Sequence, residues 1–445
     1  LDAIFVTLFR VWVTKRHMLE WVTAADAEKT LSGSMKSYWR AMGPSAALGV
    51  VLAFFSYYFK PEGLIFSLIL LIAWGIAPSV ACRISRDDCG EEEKLAKEDL
   101  EELRKIARKT WRYFEEFANA KNNYLAPDNF QEDPPRGIAF RTSPTNIGLG
   151  LLAALTGRDM GYTGIKETVE SIDRTVGTIE KLEKWNGHLY NWYDTRVLEP
   201  LHPLYVSTVD SGNFVCYLIT LAEGLKRYFS VPLVDKSFAR GILDTVSCGL
   251  GEGQERTADF SCLDFMEKDG EISLVLWNNA LNELESGRLT ADIQKPAWRA
   301  KAERMGKMFK EELSAFAPWA ALAEGIPEEL LCEELAEETA RLLDLLAENP
   351  SLEGIPEINR SSVEQIDRRN KATVKAAKDR VEPKENSGKA AGDAGQEKEP
   401  PFAKSYAWMN EVIGAVLESD RFCRSFIDKY RQLLDRIENL SAAIS

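Results

Sequence analysis

Histidine and paired cysteines are scarce in this 445-residue chain. Its 3 histidines, His17, His188 and His202, leave little for a multi-histidine metal site or a histidine-based catalytic triad. None of its 7 cysteines forms a C-x-x-C pair, which fits neither a zinc site nor a disulfide framework and favours a reducing compartment. The sequence has no G-x-G-x-x-G motif, no P-loop and no extended strand alternation. We therefore predict an all-α chain with no metal and no cofactor of its own.

Positive charge is also in deficit. The chain has 69 acidic and 55 basic side chains and a net charge of -14, and it shows no basic stripe of the kind that binds nucleic acid. We expect no nucleic-acid partner. Hydrophobic residues make up 45% of the sequence, which is enough for a packed core and excludes wholesale disorder.

Two long apolar runs lie near the start of the chain, at 43–59 and 64–84, and a K-P-E-G turn separates them. A membrane-spanning helix needs about 20 apolar residues, so region 43–84 is predicted to be a two-helix transmembrane hairpin. A signal peptide is excluded because a second apolar run follows the first. The alternative is a hydrophobic hairpin buried in a soluble protein.

The charges that flank the hairpin predict its orientation. Both flanks are basic, whereas the loop between the helices carries one lysine offset by one glutamate, so the positive-inside rule places both flanks in the cytoplasm. Segment 1–42 is then cytoplasmic. Its amphipathic part, 4–21, is interpreted either as a helix on the membrane surface or as the tail of an upstream domain.

The rest of the chain is predicted to form a succession of helices. Helical periodicity is found at 91–120, 144–156, 166–185, 209–229, 235–247, 273–287, 294–316, 327–347, 402–417 and 420–442. We predict an incomplete helical domain over 89–369 and a helical segment of the same domain over 401–445. The charged stretch 370–400 has few large apolar residues and is predicted to be a disordered linker.

Two loops combine polar side chains with aromatic ones, at 127–146 and 187–213. Carboxylates and amides bind sugar hydroxyls, while Trp and Tyr cover the C–H face of a pyranose ring, so this mixture predicts a sugar cleft. The candidate substrate-binding residues are Asp128, Asn129, Gln131, Arg141, Thr142, Ser143, Asn146, His188, Asn191, Trp192, Tyr193, Asp194, Tyr205, Ser207, Asp210, Ser211 and Asn213.

A structural role competes with binding at each of these positions. Asn, Asp and Ser in loops often cap helices, and Ser143, Asp210 and Ser211 stand where caps are expected. His188 is either a general base or a hydrogen-bond donor within its loop. Spacing alone does not identify the catalytic carboxylates; the candidates are Glu132, Asp133, Asp194 and Asp210.

Four strings within these loops, LAPDNFQEDPP, RTSPTNIGLGLL, GHLYNWYDT and PLYVSTVDSGN, resemble the cyclic β-1,2-glucan synthases, which are large bacterial inner-membrane enzymes. The hairpin and the string RVWVTKRHMLEWVTAADAEKT resemble the end of the membrane glycosyltransferase part of that family. The resemblance covers 5–230 and fades over 250–400. It implies a glucoamylase-like (α/α)6 barrel that closes β-1,2-glucan into a ring by retaining transglycosylation.

The family's catalytic glutamates lie in strings that resemble S-E-S-A-Y and F-Y-E-A, and these strings do not occur here. We therefore expect a fragment of such a synthase that is inactive alone, at the inner membrane with its helical domain in the cytoplasm. Its expected partners are β-1,2-glucan, the lipid bilayer and the other domains of the synthase. The alternatives are a non-catalytic, membrane-tethered glucan-binding or scaffold module and an unrelated helical glycosidase.

Overall fold

The computed structural model describes residues 2–15, 34–85, 95–251, 259–266, 272–332, 335–381 and 403–444. The chain divides into two compact units, Leu1–Leu95 and Ala96–Ser445. Helices dominate both units, so the prediction of an all-α chain is confirmed.

The first unit contains the predicted helical hairpin. Its helices are α1 (Asp2–Phe9), which continues into a π-helical turn at Arg10–Thr14, α2 (Met35–Phe59) and α3 (Leu64–Ile84). The hairpin therefore begins at Met35, ahead of the predicted boundary at 43. The expected amphipathic part, 4–21, is described only as far as Lys15, and residues 16–33 lie outside the described residues.

The two hairpin helices pack against each other through small residues. A β-carbon at Gly49 would lie 3.1 Å from the Leu71 Cα, and the Ser56 and Ser67 hydroxyls are 2.6 Å apart. Apolar side chains such as Phe54 and Phe66 remain exposed. Both helices are long and apolar enough to cross a membrane, and their exposure does not match a hairpin buried in a protein core.

The second unit begins with a long helix, and helices make up most of its described residues. Its helices are α4 (Lys97–Phe117), α5 (Pro144–Asp159), α6 (Ile165–Lys181), α7 (Thr208–Arg227), α8 (Lys236–Gly249), α9 (Leu274–Glu285), α10 (Pro296–Phe316), α11 (Ala336–Ala347), α12 (Ile355–Val381) and α13 (Ala403–Ile444). Short 3-10 turns lie at Ala120–Asn122, Ser261–Met266, Pro318–Gly325 and Glu328–Leu331.

The C-terminal part of this unit departs from several predictions. The helix predicted over 327–347 begins as the 3-10 turn Glu328–Leu331, and α11 starts only at Ala336. The two helices predicted over 402–417 and 420–442 are one continuous helix, α13. Helix α12 extends to Val381, so the disordered linker predicted from 370 is wrong over its first part. Residues 382–400 lie outside the described residues.

The core of the second unit is aromatic in two places. The rings of Phe238 and Phe309 stack with their centroids 4.5 Å apart. Tyr430 on α13 stacks on Phe229 at 4.4 Å and donates to the Leu225 carbonyl at 2.7 Å. Because this hydroxyl is buried, its hydrogen bond removes the cost of an unsatisfied polar group. These contacts fix α13 against α7.

Helix α4 buries a charged face. Leu100, Leu103 and Ile106 recur at helical spacing on α4, yet they are about half exposed. The fully buried residue is Arg108, whose guanidinium lies 5.2 Å from the ring centroid of Tyr162 and whose Nε donates to Thr245 at 2.7 Å. The face of α4 that packs into the core thus buries an arginine, held by an aromatic ring and a hydroxyl, rather than a leucine.

Helix α6 has no side-chain cap from its own preceding residue, Gly164. Instead, Glu312 on α10 accepts the backbone N–H groups of Ile165 at 3.0 Å and Lys166 at 2.8 Å. Gly164 is required beside this carboxylate, because a β-carbon there would lie 2.2 Å from the Glu312 Oε2. Burial raises the pKa of Glu312, while Arg158 and the two N–H groups act in the opposite direction.

Candidate functional site

The two loops that carry the candidate residues come together through a short antiparallel ladder. Strand β3 (Arg141–Thr142) pairs with β6 (Tyr193–Asp194), so that Arg141 lies opposite Asp194. The other two-residue ladders are β1 (Phe130–Gln131) with β2 (Gly137–Ile138), and β4 (Lys184–Trp185) with β5 (His188–Leu189).

Each loop leads into the start of a helix. The Ser143 hydroxyl accepts the Asn146 N–H at 3.2 Å and caps α5, as predicted. The Ser207 hydroxyl accepts the Asp210 N–H at 3.2 Å and caps α7, so the cap of that helix is Ser207 rather than Asp210 or Ser211. Both caps place polar side chains of the first helical turn at the junction of the loops.

At this junction the side chains form a connected set that we call the polar cluster. Its members are Asp128, Arg141, Thr145, Asn146, Asn191, Trp192, Tyr205 and Asp210. On one side, Asp128 Oδ2 accepts Arg141 Nη2 at 2.9 Å and Nε at 3.1 Å. Its other oxygen, Oδ1, accepts the Asn146 amide at 3.1 Å. Asp128 therefore holds both neighbours in place.

Asp210 organises the other side of the polar cluster. Its Oδ1 accepts the Thr145 hydroxyl at 2.5 Å. With the Asn191 amide in the orientation that satisfies all its neighbours, its nitrogen donates to Asp210 Oδ2 at 3.0 Å. The same amide's oxygen accepts Trp192 Nε1 at 2.7 Å and the Tyr205 hydroxyl at 2.6 Å. Asn191 is buried at the centre of this hydrogen-bond network, with 8% of its surface exposed.

Arg141 joins the two sides of the polar cluster. Its guanidinium lies 4.6 Å from the ring centroid of Trp192 while it is bonded to Asp128. One face of Trp192 is therefore already covered by a cation. Tyr205 is 47% exposed and its hydroxyl is held by Asn191, so its ring is the more open aromatic surface.

Asp194 lies beside the polar cluster in a separate ion pair. Its carboxylate accepts the Arg196 N–H at 2.8 Å and the Arg196 guanidinium at 2.7 Å and 3.1 Å. These hydrogen bonds hold the pKa of Asp194 below its ordinary value. Arg196 in turn covers the Phe140 ring at 4.7 Å.

Burial and the nearby Asp128 carboxylate raise the pKa of Tyr113 to about 12. The Tyr113 hydroxyl donates to the Pro127 carbonyl at 2.8 Å. It stays protonated at neutral pH, and so it serves as a fixed donor beneath the loop that carries Asp128.

Several predicted site residues use their side chains within the fold. The Thr142 hydroxyl donates to the Ala126 carbonyl at 2.7 Å, and the buried Tyr193 hydroxyl donates to the Glu183 carbonyl at 2.6 Å. Burial is the main cause that raises the pKa of Tyr193. Ser211 is also buried. Thr142 and Tyr193 thus fix the backbone of the loops, and direct contact of any of these residues with a ligand stays a prediction.

Other predicted residues lie outside the polar cluster. Asn129 donates to Asp128 at 3.0 Å from an exposed position, and Gln131 lies in β1 opposite Gly137. Asn213 is exposed on α7, and His188 lies in the β4–β5 hairpin. The sequence analysis missed Thr145, although its place directly after a capping serine and a proline marks it as a first-turn side chain.

The candidate catalytic carboxylates differ in their surroundings. Glu132 and Asp133 are exposed in the turn between β1 and β2. Asp194 is bound by Arg196, and both oxygens of Asp210 accept hydrogen bonds. Within the described ranges, no group of three His, Cys, Asp or Glu side chains is placed to hold a metal ion.

Comparison with curated proteins identifies a relative with a known name. The cyclic beta-(1,2)-glucan synthase NdvB of Rhizobium meliloti (strain 1021) is 39% identical to this chain over 319 residues. The match covers 71% of this chain and 10% of the length of that protein. The chain is thus homologous to a segment of a cyclic β-1,2-glucan synthase, which confirms the predicted resemblance and removes the hypothesis of an unrelated glycosidase.

The comparisons with solved structures and with family models give weaker evidence than this homology. A glucoamylase-like protein from Bacteroides fragilis NCTC 9343 is 19% identical, with a TM-score of 0.26, over 36% of this chain and 38% of that chain. Similarity at this level does not establish a shared fold, so closure of the helices into an (α/α)6 barrel stays a prediction. No protein-family model matches the chain.

Proposed function

We propose that this chain contributes a membrane anchor and a β-1,2-glucan-binding helical unit to a cyclic β-1,2-glucan synthase. The single observation that carries the proposal is the polar cluster, in which the two loops that resemble the synthases are joined side chain to side chain. Homology to the glucan synthase NdvB over most of the chain supports the same function.

The chemistry of the polar cluster suits a neutral sugar chain. Carboxylate, amide and guanidinium groups are already oriented by one another, so they lose little conformational freedom when hydroxyl groups replace water. Arg141 and Asp128 place N–H donors and acceptor oxygens side by side, which suits pairs of vicinal hydroxyls. The exposed ring of Tyr205 supplies an apolar surface for the C–H face of a glucose unit.

The polar cluster is a binding site rather than a complete glycosidase centre. Retaining transglycosylation requires one carboxyl group as nucleophile and another as acid and base. Asp128 and Asp210 are instead fixed acceptors for Arg141, Asn146, Thr145 and Asn191. We therefore propose that this chain alone binds glucan without cleaving it, and that cyclisation requires the remaining domains of the synthase, which are its protein partners.

For the hairpin we propose insertion into the bacterial inner membrane. The exposed apolar surfaces of α2 and α3 favour lipid as their solvent. Both ends of the hairpin carry basic residues, which favours the cytoplasmic side for the flanks and for the helical unit. Reactivity of a cysteine introduced at Lys60, in the loop, with a membrane-impermeant reagent added outside spheroplasts tests this orientation.

A binding assay tests the glucan proposal. The full chain in detergent is titrated with linear β-1,2-glucan and, for comparison, with linear β-1,3-glucan, while binding and release of shorter sugars are followed. We expect binding of the β-1,2-linked chain without turnover. Asp128→Asn removes the charge that holds Arg141 and is expected to weaken binding about tenfold or more, whereas the exposed Asp133→Asn serves as the matched control.

The outcomes separate the hypotheses. Failure of the unmodified chain to bind β-1,2-glucan would overturn the proposed function. Hydrolysis or ring closure by this chain would contradict the proposal that other domains supply the catalytic groups. The alternative of a separate, non-catalytic tethered module is favoured if the chain binds glucan but does not associate with synthase domains on co-purification.

A further inference from the structure

The β4–β5 hairpin presents an exposed tryptophan beside a histidine. Trp185 lies directly opposite His188 in the ladder, and the turn between them is formed by Asn186 and Gly187, both with positive φ. Trp185 is 55% exposed. His188 is half-buried, and its Nδ1 is buried.

This hairpin is held firmly at three points. The Tyr193 hydroxyl donates to the Glu183 carbonyl at 2.6 Å and accepts the Tyr190 N–H at 2.7 Å. The Lys184 ammonium donates to the carbonyl at the end of α6 at 2.7 Å. At the tip, a β-carbon on Gly187 would lie 2.2 Å from a carbonyl oxygen near the end of α13. The exposure of Trp185 is therefore a property of an ordered structure.

The hairpin also lies next to the polar cluster along the chain. Two residues, Leu189 and Tyr190, separate His188 from Asn191, and the three chain steps between their Cα atoms span at most about 11 Å. Asn191 is the centre of one side of the polar cluster. A ligand that extends about 11 Å beyond Asn191 is therefore long enough to reach the backbone of the hairpin.

We propose that Trp185 and His188 form an outer sugar subsite, which stacks a glucose unit of the β-1,2-glucan chain beyond the polar cluster. This inference rests on the proposed function. A lone exposed tryptophan needs no explanation. Here, however, the indole is ordered, paired with a ring that carries a polar edge, and close to the polar cluster. Trp185 supplies the apolar face, and His188 hydrogen-bonds a hydroxyl at the rim of the ring.

The test compares chain lengths of the ligand. The full chain in detergent is titrated with a β-1,2-linked disaccharide and with a β-1,2-linked oligosaccharide long enough to reach both sites. Trp185→Ala is expected to weaken binding of the long ligand by about 2- to 12-fold, the range for one aromatic contact, and to leave the disaccharide unaffected. Trp185→Phe restores part of the loss, and Trp12→Ala, an exposed tryptophan of the first unit, is the matched control.

The results distinguish this inference from the proposed function. If the unmodified chain binds neither ligand, the proposed function fails and the subsite with it. If it binds both and Trp185→Ala has no effect on the long ligand, only the subsite is overturned. Equal losses for both ligands would also overturn it, because they indicate a general disturbance of the loop.

Discussion

The carboxylate of Glu312 allows a direct test of how the second unit is held together. Glu312 on α10 is distant from α6 in the sequence but caps that helix, since it accepts the N–H groups of Ile165 and Lys166. Glu312→Ala removes both acceptors and leaves two buried or half-buried N–H groups at the start of α6 without partners. Glu312 is buried, with 6% of its surface exposed, so little water can reach these N–H groups in its place.

The cost follows from those two contacts. A hydrogen bond to a charged group contributes about 1.5–3 kcal/mol, and a buried donor left unsatisfied costs a similar amount. The carboxylate also lies at the positive end of the α6 dipole. We therefore expect Glu312→Ala to lower the free energy of unfolding of the second unit by about 3–5 kcal/mol. Glu312→Gln retains one acceptor and is expected to cost about half as much.

Hydrogen exchange, measured by mass spectrometry on the full chain in detergent, detects the loss of this cap at the start of α6. We expect faster exchange over the first turn of α6 in Glu312→Ala, together with a lower denaturation midpoint. Glu311→Ala is the matched control, because the neighbouring glutamate is exposed and pairs with Lys307 at the surface. Equal effects of the two substitutions, or unchanged exchange at residues 165–168, would refute the capping role.

Three further predictions concern other contacts. Gly49→Val is expected to lower the melting temperature in detergent, because its side chain meets the α3 backbone at 3.1 Å, while Gly43→Val, at an open position, leaves it unchanged. Because Arg196 lowers the pKa of Asp194, this ion pair stabilises the fold at pH values above 3.8, the ordinary pKa of an aspartate. The stabilisation is lost as the pH falls through the lower pKa of the folded state. Asp194→Asn should therefore remove part of the acid sensitivity seen when denaturation midpoints at about pH 7 and pH 3 are compared. Gly187→Ala is expected to destabilise the hairpin by about 1–3 kcal/mol, seen as increased proteolysis there, because the residue has a φ of 87° and lies against an α13 carbonyl.

Local patterns in the sequence predicted the helices well where caps and periodicity agree. The cap at Ser143 and the proline after it identified the start of α5. Helix α12 was missed although Ile355, Ile358 and Ile366 recur at helical spacing and are buried. Its high content of charged residues concealed that pattern, because a charged helix and a disordered segment have similar compositions.

Long-range contacts explain most of what the sequence did not predict. The two loops were identified as a polar site, but the hydrogen bond between Thr145 and Asp210 depends on how α5 and α7 pack. The buried Arg108 depends in the same way on Thr245 and on the Tyr162 ring. No local periodicity carries such information, since the partners are brought together only by the tertiary fold.

Helix α13 is synthesised after the helices that it covers, and this order affects how the unit folds on the ribosome. Its 42 residues, about 63 Å at 1.5 Å per residue, bring Tyr430 to the Leu225 carbonyl and Arg436 to Glu180. Until these residues leave the exit tunnel, the apolar faces of α7 and its neighbours have no cover. Exposed apolar surface makes a partly folded chain prone to aggregation, and slowing translation before residue 403 is expected to lengthen that exposure.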